Sequence, residues 1–562
     1  MTSTAAEVLL TQHQLSAITA PRAIALIGAS GDPKRLTSRP QRFLQQHEFC
    51  GNIIPINPAR AVVLERRSYP SVADVDGPID LAYILLGTDH VETQLTACVH
   101  AGVAAVAVLA DGYAERGADG LARQKRLVEI ANEAGLALIG PNSMGLADTR
   151  SRAICTTNAA FAVNDIRQGR TAVLSQSGSL IGTILSRGQA LGAAYATFIS
   201  TGNEAQLTVG DFGEALVDDP TIDSFVLFLE TMRAPDRFAR FAAAAKSAGK
   251  PIVAYQVGAS DEGRALAMSH TGAMVTGPGA LSAFLDAHGV SEVKTFDALF
   301  EAPRALLAAR RRHDLPARPP KDRGALVVTT TGGGGAIMVD QLGLRGVPLC
   351  SPSDATRAEL ANAGIHHGGG PLIDVTLAGA NQETMTRVIE TLVTADEVGL
   401  LITAIGSSAQ FNPELAVRPV IEAAKRDATA AAPVFAFPLP HAPESHALFA
   451  EAGIASFRTP ESAADAARHV LKSARSAMRT SRSDEIGATV ELKTTERRVA
   501  ALPSGMCNER QSGDILRALG VNLARSVFVK AGDDLADAIR DWTGHWPVVV
   551  KLVSRDIAHK SD

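Results

Sequence analysis

The sequence is poor in the features that mark several function classes. Its 5 Cys (50, 98, 155, 350, 507) are scattered and never form a C-x-x-C pair. That spacing argues against a zinc ribbon, an iron–sulfur cluster or a disulfide framework. Aromatic residues make up only 4%. There is no basic excess: 54 Lys and Arg face 59 Asp and Glu, for a formal net charge of −5. General nucleic-acid binding is therefore not expected. No apolar run reaches the ~18 residues of a membrane span. The start, MTSTAAEVLLTQHQL, lacks a basic stretch followed by a long apolar one, so no signal peptide is read. The expectation is a cytoplasmic protein without membrane or nucleic-acid partners.

What is present is typical of a globular α/β chain: 46% apolar and 20% charged over 562 residues, enough for three or four domains. Short apolar runs at 23–27, 52–56, 81–86, 104–109 and 136–139 alternate with amphipathic stretches such as 91–101 and 121–134. This pattern predicts parallel strands covered by helices on both faces. A second unit opens at 171–174 and continues through strands at 225–229 and 252–255. The charged, Pro-rich stretch 310–324 reads as a linker. A third unit has strands at 325–329, 399–404 and 433–437, and the polar stretch 472–500 reads as a second linker. Residues 501–562 are expected to hold helices at 512–519 and 533–542 and a strand at 547–553, too little for a complete domain. The boundaries expected are 10–150, 168–310, 324–472 and 501–562.

Three glycine-bearing turns follow strands. The first, I-G-A-S-G-D-P (27–33), places backbone N–H groups where a phosphate can sit; a plain tight connection is the alternative. Its spacing is not G-x-G-x-x-G. The second strand ends in Asn57-Pro58, not in the acid that holds the ribose of NAD, so a dehydrogenase is disfavoured. The second turn, L-S-Q-S-G-S-L (174–180), suits an anion or an ordinary helix cap from Ser175, Ser177 or Ser179. The third, M-S-H-T-G-A (268–273), sets His270 among small residues that leave room for a phosphate on the ring. Upstream in T-G-N-E-A (201–205), Glu204 could accept one ring N–H and leave the other nitrogen nucleophilic. His366, His367 and His441 read as loop residues, and no metal site is expected.

In order, GASGDP, PINP, GPNSMG, SQSGSL, TGNEA and SHTGA resemble the NDP-forming acyl-CoA synthetases, the superfamily of succinyl-CoA synthetase, over nearly the whole chain. The resemblance implies a Rossmann-like CoA-binding domain, two flavodoxin-like domains and the start of an ATP-grasp module. It implies a ligase that joins a carboxylic acid to CoA using ATP and Mg²⁺, through a phosphohistidine and an acyl phosphate. Carried over, His270 is the phosphorylated residue and Glu204 its orienting carboxylate. Gly28, Ala29 and Ser30, with Asn57 and Pro58, lie at the CoA turn. Asn142 and Gly145 lie near the reaction centre, and Ser177 and Gly178 line the phosphate pocket. In the last segment Lys551 is implied at the nucleotide phosphates and His559 as a second relay.

Departures stand at Gln256, Ser143, 330–335 (TTGGGG) and 369–374 (GGPLID), turns expected near the acyl pocket. They resemble members that activate aromatic acids, so ferulate or a related hydroxycinnamate is the expected substrate, with acetate or another short acid as the alternative. A non-catalytic CoA or acyl-CoA sensor on the same scaffold is the competing function. The Mg²⁺ and adenine ligands are expected beyond Asp562, on more chain or on a β-type partner. An oligomer is expected, though no interface pattern is legible.

Overall fold

Aliphatic runs too short for a helix and apolar on both faces become central strands here. The computed structural model describes residues 10–258, 260, 262–263, 279–313, 323–367, 369–376, 381–426, 432–476, 499, 507–518, 521–530, 532–540, 548–549, 551 and 553. It divides into two units, 1–476 and 477–562.

The first unit contains three sheets built on parallel strands and a two-stranded antiparallel ribbon, Val62–Val63 with Arg66–Arg67. In the first, β1 (Ala23–Ile27), β2 (Asn52–Ile56), β3 (Leu81–Ile84), β4 (Ala105–Val108) and β5 (Ala137–Ile139) are ordered β2-β1-β3-β4-β5. All side chains of β1, β3, β4 and β5 are buried, as strands covered on both faces must be. The chain then forms an antiparallel hairpin, β6 (Gly145–Asp148) and β7 (Ala153–Thr156). Although β6 lies within 10–150, it pairs with the second sheet, Phe198 opposite Ala147. Gly145 makes this crossing possible. Its φ is +92°, and a Cβ would lie 2.3 Å from the Cys155 carbonyl oxygen.

The second sheet adds β8 (Gln168–Ser175), β9 (Tyr195–Ser200), β10 (Ser224–Leu229), β11 (Ile252–Gln256) and β12 (Ser291–Val293), in the order β12-β11-β10-β8-β9-β6-β7. The third holds β13 (Gly324–Thr329), β14 (Leu372–Asp374), β15 (Val398–Ile405), β16 (Val434–Pro438) and β17 (Ala455–Ser456), in the order β14-β13-β15-β16-β17. Counting parallel strands along the chain, every sheet has the order 2-1-3-4-5. The crevice between strands 1 and 3 is the switch point where such sheets bind ligands. The three switch points are β1/β3, β8/β10 and β13/β15.

Helices Ala298–His313 and Pro460–Ser476 join the second and third sheets through one apolar cluster. Asp465 accepts from the Lys294 and Thr295 N–H groups and from Arg345 Nε, and Arg458 bridges Asp297 and Glu301. Two expectations are corrected here. The stretch 310–324 is not all linker, since the helix runs to His313 and β13 begins at Gly324. Likewise 472–500 begins inside a helix that ends at Ser476. Arg and Lys are good helix formers, and their charge was mistaken for a helix stop.

In the second unit the helices are Glu509–Ala518 and Leu535–Arg540. Of the expected strand at 547–553, only Val548, Val549, Lys551 and Val553 are described, and none of these four is paired in a sheet. Among the described residues no helix is long and apolar enough to cross a membrane.

Candidate active site

Two turns stack at the seam between the first and second sheets. Asn142, with φ +58°, donates its N–H to the Ala110 carbonyl, and Asn203 donates its N–H to the Pro141 carbonyl at 2.9 Å. Gly202 allows this stacking. Its φ is +56°, and a Cβ would lie 2.3 Å from the Pro141 carbonyl oxygen. Ser143 is fully buried; its hydroxyl donates to the Ser200 carbonyl at 2.5 Å and accepts from Gly145 N–H at 3.1 Å. It therefore ties the turn to the end of β9 and does not line the cavity beside it.

That narrow cavity is lined by Asn142, Gly202 and Asn203 on one side and by Gln176, Glu230, Thr231 and Arg233 on the other. The second group sits at the β8/β10 switch point. Gln176 closes that crevice with four hydrogen bonds. Its Oε1 accepts from the N–H groups of Glu230 (2.6 Å) and Thr231 (3.0 Å). Its Nε2 donates to the Thr231 carbonyl (2.9 Å) and to Glu204 Oε2 (2.8 Å).

Glu204 lies behind this wall, only 5% exposed, on a residue with φ +53°. Its Oε1 accepts from Thr201 Oγ1 (3.1 Å) and Val209 N–H (2.9 Å). Both carboxylate oxygens are thus engaged within the protein. Burial pushes its pKa up from 4.5 to about 7, against the pull of these donors and of Arg233. Burial draws the Arg233 guanidinium below its ordinary value, opposed by Glu204, Glu115 and Glu230. Glu115 is raised by burial, yet N–H donors from its own turn and Asn203 hold it below the usual carboxylate range. Asn203 Nδ2 reaches Glu115 Oε2 at 2.6 Å. The cavity is therefore polar, with Arg233 and Glu230 on its wall and Glu204 and Glu115 behind it.

The other residues singled out in the sequence are placed as follows. Ser177 is the N-cap residue of helix Gly178–Gln189, but its side chain makes no cap hydrogen bond and instead meets Ser179 Oγ at 3.3 Å. A Cβ on Gly178 would lie 2.4 Å from Met144 Cγ, so this turn packs on the Asn142 turn. Gly28, Ala29 and Ser30 follow β1 at the first switch point, where Asn57 Nδ2 donates to the Ala29 carbonyl and Asn57 Oδ1 accepts from Ala59 N–H. Pro58 is exposed beside it. Tyr83 OH, at the end of β3, donates to the Ser143 carbonyl, linking the first sheet to the Asn142 turn. His270 and His559 lie outside the described residues. Lys551, in the second unit, donates to Glu509 Oε1. His366, His367 and His441 are in loops.

Gln176, Glu230 and Arg233 were missed as site residues by the sequence reading. The strand-end rule points to Glu230 and Arg233, but only after β8 and β10 are known to be neighbours. Among the described residues no group of three His, Cys, Asp or Glu could hold a metal ion.

Residues 22–149 match the model of a CoA binding domain, and residues 168–306 match the succinyl-CoA ligase like flavodoxin domain. The chain belongs to the ADP-forming acyl-CoA synthetase family. Relatives in this family include the alpha subunit of an ADP-forming acetate–CoA ligase II from Pyrococcus furiosus, 29% identical over 464 residues, covering 81% of this chain and 97% of the relative. Another is a trans-feruloyl-CoA synthase from an unknown prokaryotic organism, 27% identical over 559 residues, covering 98% and 76%. The dinucleotide-forming acetyl-coenzyme A synthetase 1 of Candidatus Korarchaeum cryptofilum, solved with phosphate and ADP, superimposes with a TM-score of 0.70 at 25% identity, covering 84% of this chain and 99% of that one. The two matched domains correspond to the first sheet and to the parallel strands of the second.

Proposed function

We propose that this ADP-forming acid–CoA ligase activates ferulate or a related hydroxycinnamate through a phosphohistidine at His270. The observation that carries the reading is the cavity walled by Glu230 and Arg233. Val257 N–H donates to the Leu229 carbonyl, so the chain that leads to His270 leaves the sheet beside Glu230. The reaction proceeds in three steps. A neutral imidazole nitrogen attacks the γ-phosphorus of ATP and ADP leaves. The acid's carboxylate oxygen then takes the phosphoryl group, giving an acyl phosphate and free imidazole. Finally the CoA thiolate attacks the acyl carbon, forming the thioester and releasing phosphate.

In this scheme Arg233 offsets phosphoryl charge in a partly buried setting, where a cation acts strongly. Glu204 is a positioning residue: it holds Gln176, and Gln176 holds the Glu230 and Thr231 N–H groups on the wall. Ser177 and Gly178 present a helix N-terminus to phosphate. Lys551 and His559 serve the nucleotide half-reaction, completed by further chain or by a β-type partner. That the Pyrococcus relative is an alpha subunit supports the partner form. The turns at 330–335 and 369–374 support the choice of an aromatic acid, because they depart from the pattern expected for acetate-type members.

The reverse reaction tests this without a nucleotide. The protein is incubated with labelled phosphate and either feruloyl-CoA or acetyl-CoA. Feruloyl-CoA should transfer label to His270, and His270→Asn should remove the label while CoA binding persists. Label surviving in that variant would refute the role of His270. Faster labelling from acetyl-CoA would refute the aromatic substrate. In the forward direction, with ATP, Mg²⁺ and a panel of acids, the nucleotide product should be ADP; AMP would defeat the mechanism.

A further inference from the structure

The turn after β4 is shaped around one carboxylate. Gly112 has φ +94°, and Thr88 Oγ1 donates to the Asp111 carbonyl at 2.5 Å. Helix Ala118–Ala134 presses on the turn from behind: a Cβ on Gly120 would lie 1.9 Å from the Tyr113 carbonyl oxygen. Within this turn Glu115 folds back, and its Oε1 accepts from the N–H groups of Gly112 (2.6 Å) and Tyr113 (3.0 Å). Burial raises its pKa, but these N–H donors and Asn203 bring it below the usual carboxylate range, so it is ionised at neutral pH. An ionised carboxylate accepts hydrogen bonds and cannot donate them.

The second oxygen is engaged across the seam between the first and second sheets. Glu115 Oε2 accepts from Asn203 Nδ2 at 2.6 Å, and Gln124 Oε1, on helix Ala118–Ala134, accepts from the same nitrogen at 3.2 Å. Both hydrogens of that amide are thereby committed, and Asn203 must turn Oδ1 the other way. There it accepts from Asn142 Nδ2 at 3.4 Å. Asn142 and Asn203 both line the cavity, and Asn142 Oδ1 has no hydrogen-bond partner among the described residues. An amide has nearly the same shape either way round, and only its partners decide which end is which. Here a group that can only accept dictates the direction of two amides in succession, from the turn after β4 to the cavity wall.

We propose that Glu115 is a positioning residue for the ligase reaction: it fixes the Asn142 amide with Nδ2 toward Asn203 and Oδ1 as an acceptor on the cavity wall. This rests on the ligase reading above and adds to it a residue outside the reacting groups. Glu115 does not line the cavity and acts only through the two amides. Glu115→Gln keeps the size and shape of the side chain but adds donors. The Gly112 and Tyr113 N–H groups take the remaining Oε1, so Nε2 faces Asn203 Nδ2, and an amide in the chain must turn over.

The test is single-turnover labelling from labelled phosphate and a saturating acyl-CoA, whichever of feruloyl-CoA and acetyl-CoA labels the unaltered protein faster. Glu115→Gln, Asn203→Asp and the two combined are compared. Each single variant should label about tenfold or more slowly, because donor opposes donor in the first and carboxylate opposes carboxylate in the second. In the combined variant the amide and the carboxylate have changed places and the net charge is restored. The new carboxylate accepts from the new glutamine, from Asn142 Nδ2 and from Gln124, whose amide can turn. The Asn142 amide then regains its direction, and labelling should recover to within about threefold of the unaltered protein. A role in packing alone would leave the combined variant no better than the slower single one; that result would overturn the proposal, as would unchanged labelling in Glu115→Gln. Urea midpoints of the four proteins give a readout independent of turnover. The two substitutions together should destabilise less than the sum of each alone, and additive effects would overturn the amide chain. If the unaltered protein takes no label, the failure lies with the ligase reading, and the proposal falls with it whatever the midpoints show.

Discussion

Glu204→Gln offers a direct test of how the cavity wall is held. The carboxyl is buried and surrounded by donors: Thr201 Oγ1, Val209 N–H and Gln176 Nε2. Burial, the largest influence, raises its pKa from 4.5 to about 7. The native state therefore holds this proton more tightly than the unfolded chain does. For such a group, stability is greatest below about pH 4.5, falls as the pH rises, and levels off above about 7. A shift of that size corresponds to about 3 kcal/mol across the window, at ~1.4 kcal/mol per pH unit.

The glutamine variant cannot ionise, so this slope should vanish. It also turns an amide N–H toward Gln176 Nε2, and two donors then face each other. That loss costs about 1–3 kcal/mol and does not depend on pH. Urea unfolding of both proteins, from pH 5 to pH 8.5, gives the difference between them. At pH 5 the variant should be the less stable protein. By pH 8.5 it should have gained about 2.5 kcal/mol relative to the unaltered chain. Glu301, also raised by burial to about 7, titrates in the same window in both proteins and cancels from the difference. A difference that stays flat with pH would refute a burial-raised carboxyl at Glu204.

The remaining predictions concern the same wall. Gln176→Leu leaves the Glu230 and Thr231 N–H groups, the Thr231 carbonyl and Glu204 Oε2 without the partner each now has; it should destabilise the protein by about 3–5 kcal/mol in urea unfolding and abolish labelling from acyl-CoA and phosphate. Gly202→Ala forces an L side chain into φ +56° and against the Pro141 carbonyl; it should cost about 2–3 kcal/mol and reduce labelling, as the Asn142 turn must move to accommodate the methyl.

Continuous aliphatic runs were legible in the sequence: β1 and β2 occupy the residues expected, 23–27 and 52–56, because nothing polar interrupts them. β9, Y-A-T-F-I-S, was missed. Its six side chains are all buried, but Thr197 and Ser200 interrupt the apolar run, and Thr197 finds its partner in the distant Ala147 carbonyl. The hairpin at 145–156 was missed because its pairing with β9 joins segments about 50 residues apart, which local periodicity does not record. The same limit applied to the site. Asn142 and Glu204 stood out because turn motifs carry them. Gln176 lay inside a quoted motif, but the partners that give it a role come from β10. Arg233 had no local signal at all. It follows a strand whose neighbour is fixed by sheet order, and that order emerges only on folding.

The repeated strand order also explains why three similar turns need not do similar work. A parallel sheet leaves N–H groups unsatisfied at each switch point, and the folded chain must satisfy them or offer them to a ligand. Gln176 and Thr330 satisfy N–H groups after β10 and β15, while the turns after β8 and β13 leave those of Ser177, Gly178, Gly332 and Gly333 without a hydrogen-bond partner among the described residues. At the second crevice Arg233 adds a side chain to the rim. In the first crevice the turn is too small to satisfy itself: Ser30 Oγ is taken by Asp32 N–H, Asn57 reaches only the Ala29 carbonyl, and Gly31 has no side chain. Because Gln176 ties β8 to the Glu230 and Thr231 N–H groups and to Glu204, its removal from the second crevice should damage phosphate labelling and stability together.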